Sequence, residues 1–205
     1  MTTAAVGTAG WPTDTRQRVL DVAMALFIRH SFAGTSLQMI ANELGFTKAA
    51  IYYHFRTREQ LLIGVMEPML RQIRAVVDTA EQQRSARSRA ETMVNGYVDL
   101  IATNRSVAAV LAFDPSVRGV LRDQPEWSDV IDRQIAVLAG VRRGPAGVIT
   151  ANAVLTGLAG AASSASSDVD DDQLRELLLD LGRRAVGLRT PRRQRTDTAT
   201  VPDES

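Results

Sequence analysis

The chain has 205 residues and a formal net charge of +1, with 45% hydrophobic, 23% charged and 5% aromatic residues. That balance fits one or two folded units and excludes a disordered or fibrous chain, while leaving any nucleic-acid role to be decided by local clustering of charge. The absence of cysteine excludes disulfides and thiolate metal sites, and the opening MTTAAVGTAG lacks the basic start and apolar stretch of a secretory signal. A cytoplasmic location is therefore expected.

Residues 1–12 are small and polar apart from Val6 and Trp11 and read as a loose arm. From there apolar residues recur at i, i+3, i+4 spacing, with no convincing period-two alternation, so the fold class is all-α. The first helix is expected from Thr15 to His30, with Asp14 as N-cap, Gln17 at the third position, and Val19, Ala23, Leu26 and Phe27 on one face. A short helix over Ser36–Leu44 and another over Lys48–His54 follow. A long helix begins after Thr57, where Thr57 and Gln60 form a capping box. Pro68 inside it removes one backbone bond and crowds the carbonyl of Gly64, a kink that can be silent or a hinge.

Within TSLQMIANELGFTKAAIYYHF, Gly45 separates two short helices whose inward positions are Ile40, Leu44, Phe46 and Ile51, with the small Ala41 at their crossing. A steep helix-to-helix turn needs a residue tolerant of positive φ, so this spacing reads as a helix-turn-helix. Thr47 caps the following helix, whose free N–H groups form a favourable seat for phosphate. Lys48, the chain's sole lysine, adds a full charge there. Tyr52, Tyr53 and His54 continue that helix with donors suited to a sugar-phosphate backbone. Successive positions rotate by about 100°, so the three cannot all fill one core.

On LFIRHSFAGTS, IANELGFTKAAIYYHF and RTREQLL, residues 15–66 resemble the DNA-binding domain of the TetR family of bacterial regulators. The resemblance implies that Thr35 or Ser36, Thr47, Lys48, Tyr52, Tyr53, His54 and Arg58 contact phosphates while Ala49 and Ala50 face base edges. It also implies a homodimer on double-stranded operator DNA, a small-molecule effector, and repression relieved by that effector. Ser31 stands where the family usually has a glycine closing the first helix, and Arg58 where a lysine is commoner.

Beyond residue 66 only the helical pattern is informative. Helices are expected over Ser85–Thr103, Ser106–Phe113, Pro125–Ala139, Pro145–Ala165 and Asp170–Leu188, bordered by Pro115, Pro125 and Pro145, making about nine in all. The plan is an arm (1–12), a helix-turn-helix domain (13–58), a larger regulatory and dimerisation domain (59–189), and a disordered tail (190–205) that carries a few arginines. Gly144–Ser167 holds no charge, yet Thr150, Asn152 and Thr156 interrupt its Ala/Gly-rich apolar part, so a membrane span is not expected.

The last helix aligns Leu174, Leu177, Leu178, Leu181, Ala185 and Leu188, and the preceding one aligns Ala153, Gly157 and Ala161. These are the candidate dimer faces, although both stripes could instead close an internal core. Candidate walls of a ligand pocket are Met66, Met69, Ile73, Met93, Tyr97, Ile101, Phe113, Trp127, Ile131 and Ile135, with Asn104, Asn152 and His30 as polar candidates.

The acidic run Asp168, Asp170, Asp171 and Asp172 fits a helix start better than a metal site, and neither a metal nor a cofactor is expected. Two other functions stand beside the regulator. One is a DNA-coating protein without sequence preference; the other is a helical enzyme, for which no phosphate loop or metal-binding His pair is present.

Overall fold

A computed structural model of the chain describes residues 13–142, 144–166 and 168–188. The expected arm and tail lie outside the described residues. Ten helices follow one another: α1 (Thr13–Gly34), α2 (Leu37–Leu44), α3 (Lys48–His54), α4 (Arg58–Glu81), α5 (Ala86–Thr103), α6 (Arg105–Phe113), α7 (Pro115–Arg122), α8 (Pro125–Ala139), α9 (Pro145–Ser164) and α10 (Asp171–Val186). No strand occurs among the described residues.

Most helix starts are fixed by a side-chain oxygen one residue upstream. Ser36 accepts from the Met39 N–H, Thr47 from Ala50, Thr57 from Gln60, Ser85 from Ser88 and Asp170 from Gln173, at 2.8–3.2 Å. Each such cap contributes about 1 kcal/mol. At Thr57 the Gln60 Oε1 reaches past the cap to the Arg56 N–H (2.9 Å), a lengthened form of the expected box.

Two boundaries differ from the sequence reading. α1 starts at Thr13, which puts Asp14 in its first turn rather than at its cap, and it continues to Gly34 through a break at Ser31 (φ 62, ψ 165). α7 was not expected at all. Pro115 marks a border, but at the first turn of a helix proline's missing N–H costs nothing, and Asp114 before it supplies the cap through the N–H groups of Ser116 and Val117.

α1, α2 and α3 form one cluster, and α4 leaves it for the larger bundle of α5–α10. Gly64 marks where α4 passes α1 and α3's end: a Cβ there would sit 3.1 Å from Leu20 Cδ2 and 3.3 Å from Phe55 Cε1. Farther along, Arg133 of α8 bonds Asp78 and Glu81 near the end of α4, both at 2.6 Å. α9 is long and apolar enough to cross a membrane by length and composition. In this fold it packs against α6, α8 and α10, burying Ala151, Val154, Leu158 and Ala162.

Candidate functional site

The α2–α3 pair is closed by Gly45, which sits in the left-handed region (φ 67, ψ 26) and donates its N–H to the carbonyls of Ala41 and Asn42. Phe46 N–H also returns to Ala41 O at 2.9 Å. With Ile40, Ala41 and Ile51 fully buried beneath, α3 is held as a rigid rib whose outer side is free. That side carries the exposed Lys48 and Ala49, with Tyr52 (43% exposed), Tyr53 (76%) and the half-buried Ala50 and His54 beside them. Lys48 Nζ stands 5.5 Å from the Tyr52 ring centre, and Tyr53 meets His54 edge-on at 5.1 Å. Thr47, exposed, is engaged through its hydroxyl at the cap.

Two residues expected to touch phosphate, Thr35 and Arg58, are turned to other uses. Thr35 is 1% exposed, and its hydroxyl donates to Ser31 O at 2.8 Å. The Arg58 guanidinium donates to the carbonyls of Phe32, Ala33 and Thr35 (3.4, 3.0 and 3.0 Å) and lies over the Phe32 ring. Ser36 is half-buried at its cap. Carbonyls at a helix end lack intrahelical partners, and Arg58 supplies charge-assisted donors to those that follow Ser31. Arg56, which sequence reasoning passed over, is exposed in the α3–α4 link and its side chain has no partner among the described residues. Its only signal in the sequence was a cation directly after the recognition helix.

In the bundle a cavity of about 280 Å³ lies between α4, α5, α6, α7, α8 and α9. Of the expected walls, Met69, Ile73, Tyr97, Ile101, Trp127, Ile131, Ile135 and Asn152 line it. Met66 and Met93 do not: each is fully buried one turn before the lining residues of its helix, so the apolar stripes are longer than the cavity. Phe113 does not either. One position past Ala112, it is rotated about 100° outward, 62% exposed, and borders a separate hollow with Phe27, Ile28 and Ser31.

Asn104, between α5 and α6, donates its amide to Leu100 O, and His30 is exposed on α1. Gln134, Arg118 and Arg122 also line the cavity and were not anticipated, the two arginines because α7 itself was not. Tyr97 donates its hydroxyl to Leu155 O at 3.0 Å, and burial pushes that hydroxyl above its ordinary pKa. Among the described residues no cluster of His, Cys, Asp and Glu could hold a metal ion, and Asp170 of the acidic run serves as the α10 cap.

Residues 19–65 match the model of the bacterial regulatory proteins of the tetR family. Residues 19–65 thus carry the DNA-binding domain of the TetR family. It is 43% identical over 54 residues to the HTH-type transcriptional regulator AcrR of Shigella flexneri, covering 26% of this chain and 25% of that protein. It is also 34% identical over 59 residues to the transcriptional regulator SrpR of Pseudomonas putida, covering 29% and 28%. The matched stretch thus spans about a quarter of these relatives. A solved TetR-family regulatory protein from Rhodococcus RHA1 shares the fold along the chain, with a TM-score of 0.63 and 20% identity, over 87% of this chain and all of that one.

In this chain the faces of α9 and α10 divide cleanly. Leu174 and Leu178 are buried in the chain's own core and do not belong to an external face. Ala153, Gly157, Ala161 and Ala185 are exposed, with Leu177 at 58% and Leu181 at 44%; Val148 and Ile149 extend the patch on α9. A Cβ on Gly157 would meet nothing within 4 Å.

Asp114 links the two parts of the TetR-like architecture. Its carboxylate caps α7 and accepts the Phe32 N–H of α1 at 2.8 Å. Partial burial works to raise its pKa, but hydrogen bonds from the Ser116 hydroxyl and from the N–H groups of Phe32, Ser116 and Val117 outweigh that and hold it below the ordinary value.

Proposed function

We propose that this TetR-family protein is a DNA-binding transcriptional repressor that grips a pseudo-palindromic operator as a homodimer and is released by a small, mainly apolar effector. The observation that carries the reading is the α2–Gly45–α3 unit, whose buried residues fix a short helix with Lys48, Ala49, Tyr52 and Tyr53 on its open side. Phosphate contacts from Thr47, Lys48, Tyr52, Tyr53 and His54, with Ala49 and Ala50 toward base edges, fit division of labour between positioning and reading. Arg56 joins the positioning set.

The dimer reading is supported by the apolar patch of Ile149, Leu177 and Leu181 around the open Gly157 line. Two-fold pairing would present two α3 helices to half-sites about one helical turn apart. Effector release is supported by the shared walls: α4 passes α1 at Gly64 and lines the cavity at Met69 and Ile73, while α7 lines the cavity and is tied to α1 through Asp114. The functional division falls at 13–58 and 59–189, with a cytoplasmic location.

Sequencing the genomic fragments retained by the purified full chain tests the reading. The expected result is a two-fold symmetric site bound on the order of 10³-fold or more tighter than random DNA. Retention of all fragments alike would replace the regulator with a DNA-coating protein.

A further inference from the structure

Two buried donors of the cavity are unengaged. Trp127 is 3% exposed and Gln134 5% exposed, both line the cavity, and neither the indole Nε1 nor the amide Nε2 has a hydrogen-bond partner. They lie on one face of α8, seven residues apart, which is about 10 Å along the axis. A buried donor without an acceptor is costly, and an indole N–H can only donate. Whatever fills the cavity favourably therefore brings acceptors to it.

The charges lining the cavity have one sign. Arg118 and Arg122 stand exposed on α7 where the cavity meets solvent, and no Asp or Glu lines it among the described residues. Arg122 is already bonded to Asp132 at 2.6 Å, while the Arg118 guanidinium has no partner among the described residues. Of the other polar walls, Tyr97 donates to Leu155 O and Asn152 to Val148 O, while Thr156 adds a hydroxyl that can donate or accept. The rest of the lining is apolar, including Met69, Ile73, Ile101 and Leu155.

From this geometry we infer that the cavity takes an amphipathic carboxylate: an apolar body among α4, α5 and α9, acceptors for Trp127 and Gln134, and an anionic head at Arg118. This rests on the effector reading above and narrows it, since a purely apolar or cationic molecule leaves the donors unmet or faces the arginines. A guanidinium suits a carboxylate because its parallel N–H groups match the two oxygens, and the bonds are charge-assisted.

Three probes with the same eight-carbon body separate the possibilities: octanoate, 1-octanol and octylammonium. With Trp11→Phe, Trp127 becomes the chain's single tryptophan, and its emission together with calorimetry reports occupancy of the full-length protein. Octanoate is expected to bind at least tenfold tighter than octanol, with octylammonium weaker than both. Arg118→Gln, at an exposed position, should bring octanoate to within about threefold of octanol and leave octanol unchanged.

Octanol equal to octanoate, octylammonium as tight as either, or no binding by any probe overturns the assignment. DNA retention by the unliganded protein keeps the two readings apart. Specific retention without octanoate binding removes the ligand class and leaves the regulator. Tight octanoate binding that never alters DNA retention removes the effector role and leaves the cavity chemistry.

Discussion

The DNA-binding unit and the cavity-bearing bundle are built from the same helical parts but by different rules. In α1–α3 nearly every functional position is fixed by neighbours a few residues away: Ser36 and Thr47 at caps, Gly45 in the turn, Ile51 beneath α3. In the bundle, the cavity is assembled from six helices spread over residues 69–159, and its polar groups come from α5, α7, α8 and α9, which meet there only through tertiary packing. Local rules make a reading head that tolerates little change in type. Long-range packing makes a chamber whose chemistry can vary while the fold stays.

The largest expected effect separates surface from core within the bundle. Gly157→Leu adds a side chain where nothing in its own chain stands in the way, so the monomer's stability should stay within about 0.5 kcal/mol. Across a two-fold interface the same group is introduced twice, and overpacking of about 1–3 kcal/mol each should raise the dimer dissociation constant by roughly thirtyfold or more. Sedimentation at micromolar concentration checks this; a dimer as tight as the native one would move the interface elsewhere.

Next comes a contrast between two cations that the family pattern treats alike. Arg58→Ala removes the donor shared by three carbonyls at the end of α1 and should cost about 2–3 kcal/mol of stability. Lys48→Ala should leave stability nearly unchanged, weaken operator and random DNA alike, and lower the salt slope by about 1 per half-site. Thermal unfolding and salt titrations together separate them. If Arg58→Ala instead melts like the native chain and loses salt dependence, its guanidinium is on DNA.

Asp114→Asn probes the junction between the two regions. Its carboxyl pKa is depressed in the folded state, so its stabilisation is present above the unfolded value of about 4 and disappears as pH falls through the lower folded value. The native protein should exceed Asp114→Asn by about 1–2 kcal/mol at neutral pH, with the gap closing in acid. A gap that does not change with pH would assign the effect to lost packing. The smallest change concerns Ser31, held at φ 62 and ψ 165, a region that only glycine visits readily. Ser31→Gly should raise stability by about 1 kcal/mol, and a loss would mean that the Ser31 Oγ bond from the Gly34 N–H outweighs the strain.

The two regions also differ in how much the sequence disclosed. Helix limits near caps were legible to within one or two residues because Ser36, Thr47, Thr57, Ser85 and Asp170 act on N–H groups three positions away. Ser31 was marked by being a serine where a helix must stop. The inward turn of Arg58 was not legible, since it depends on carbonyls 23–26 residues earlier at the close of α1. The leucine stripe of α10 was visible, but not which leucines it keeps: Leu174 and Leu178 face the chain's own core and Leu177 and Leu181 face out. Arg118, Arg122 and Gln134 escaped because a cavity wall is defined by what stands opposite it.

The most direct test of a reading head coupled to a chamber is the affinity of octanoate for the full-length protein, measured by calorimetry with and without the DNA site it retains. Coupling between two sites is reciprocal, so operator should weaken octanoate binding by the same factor by which octanoate weakens operator binding, on the order of 5–150-fold. Equal octanoate affinity in the free and DNA-bound protein would contradict the coupling and leave α3 and the cavity as independent sites on one fold.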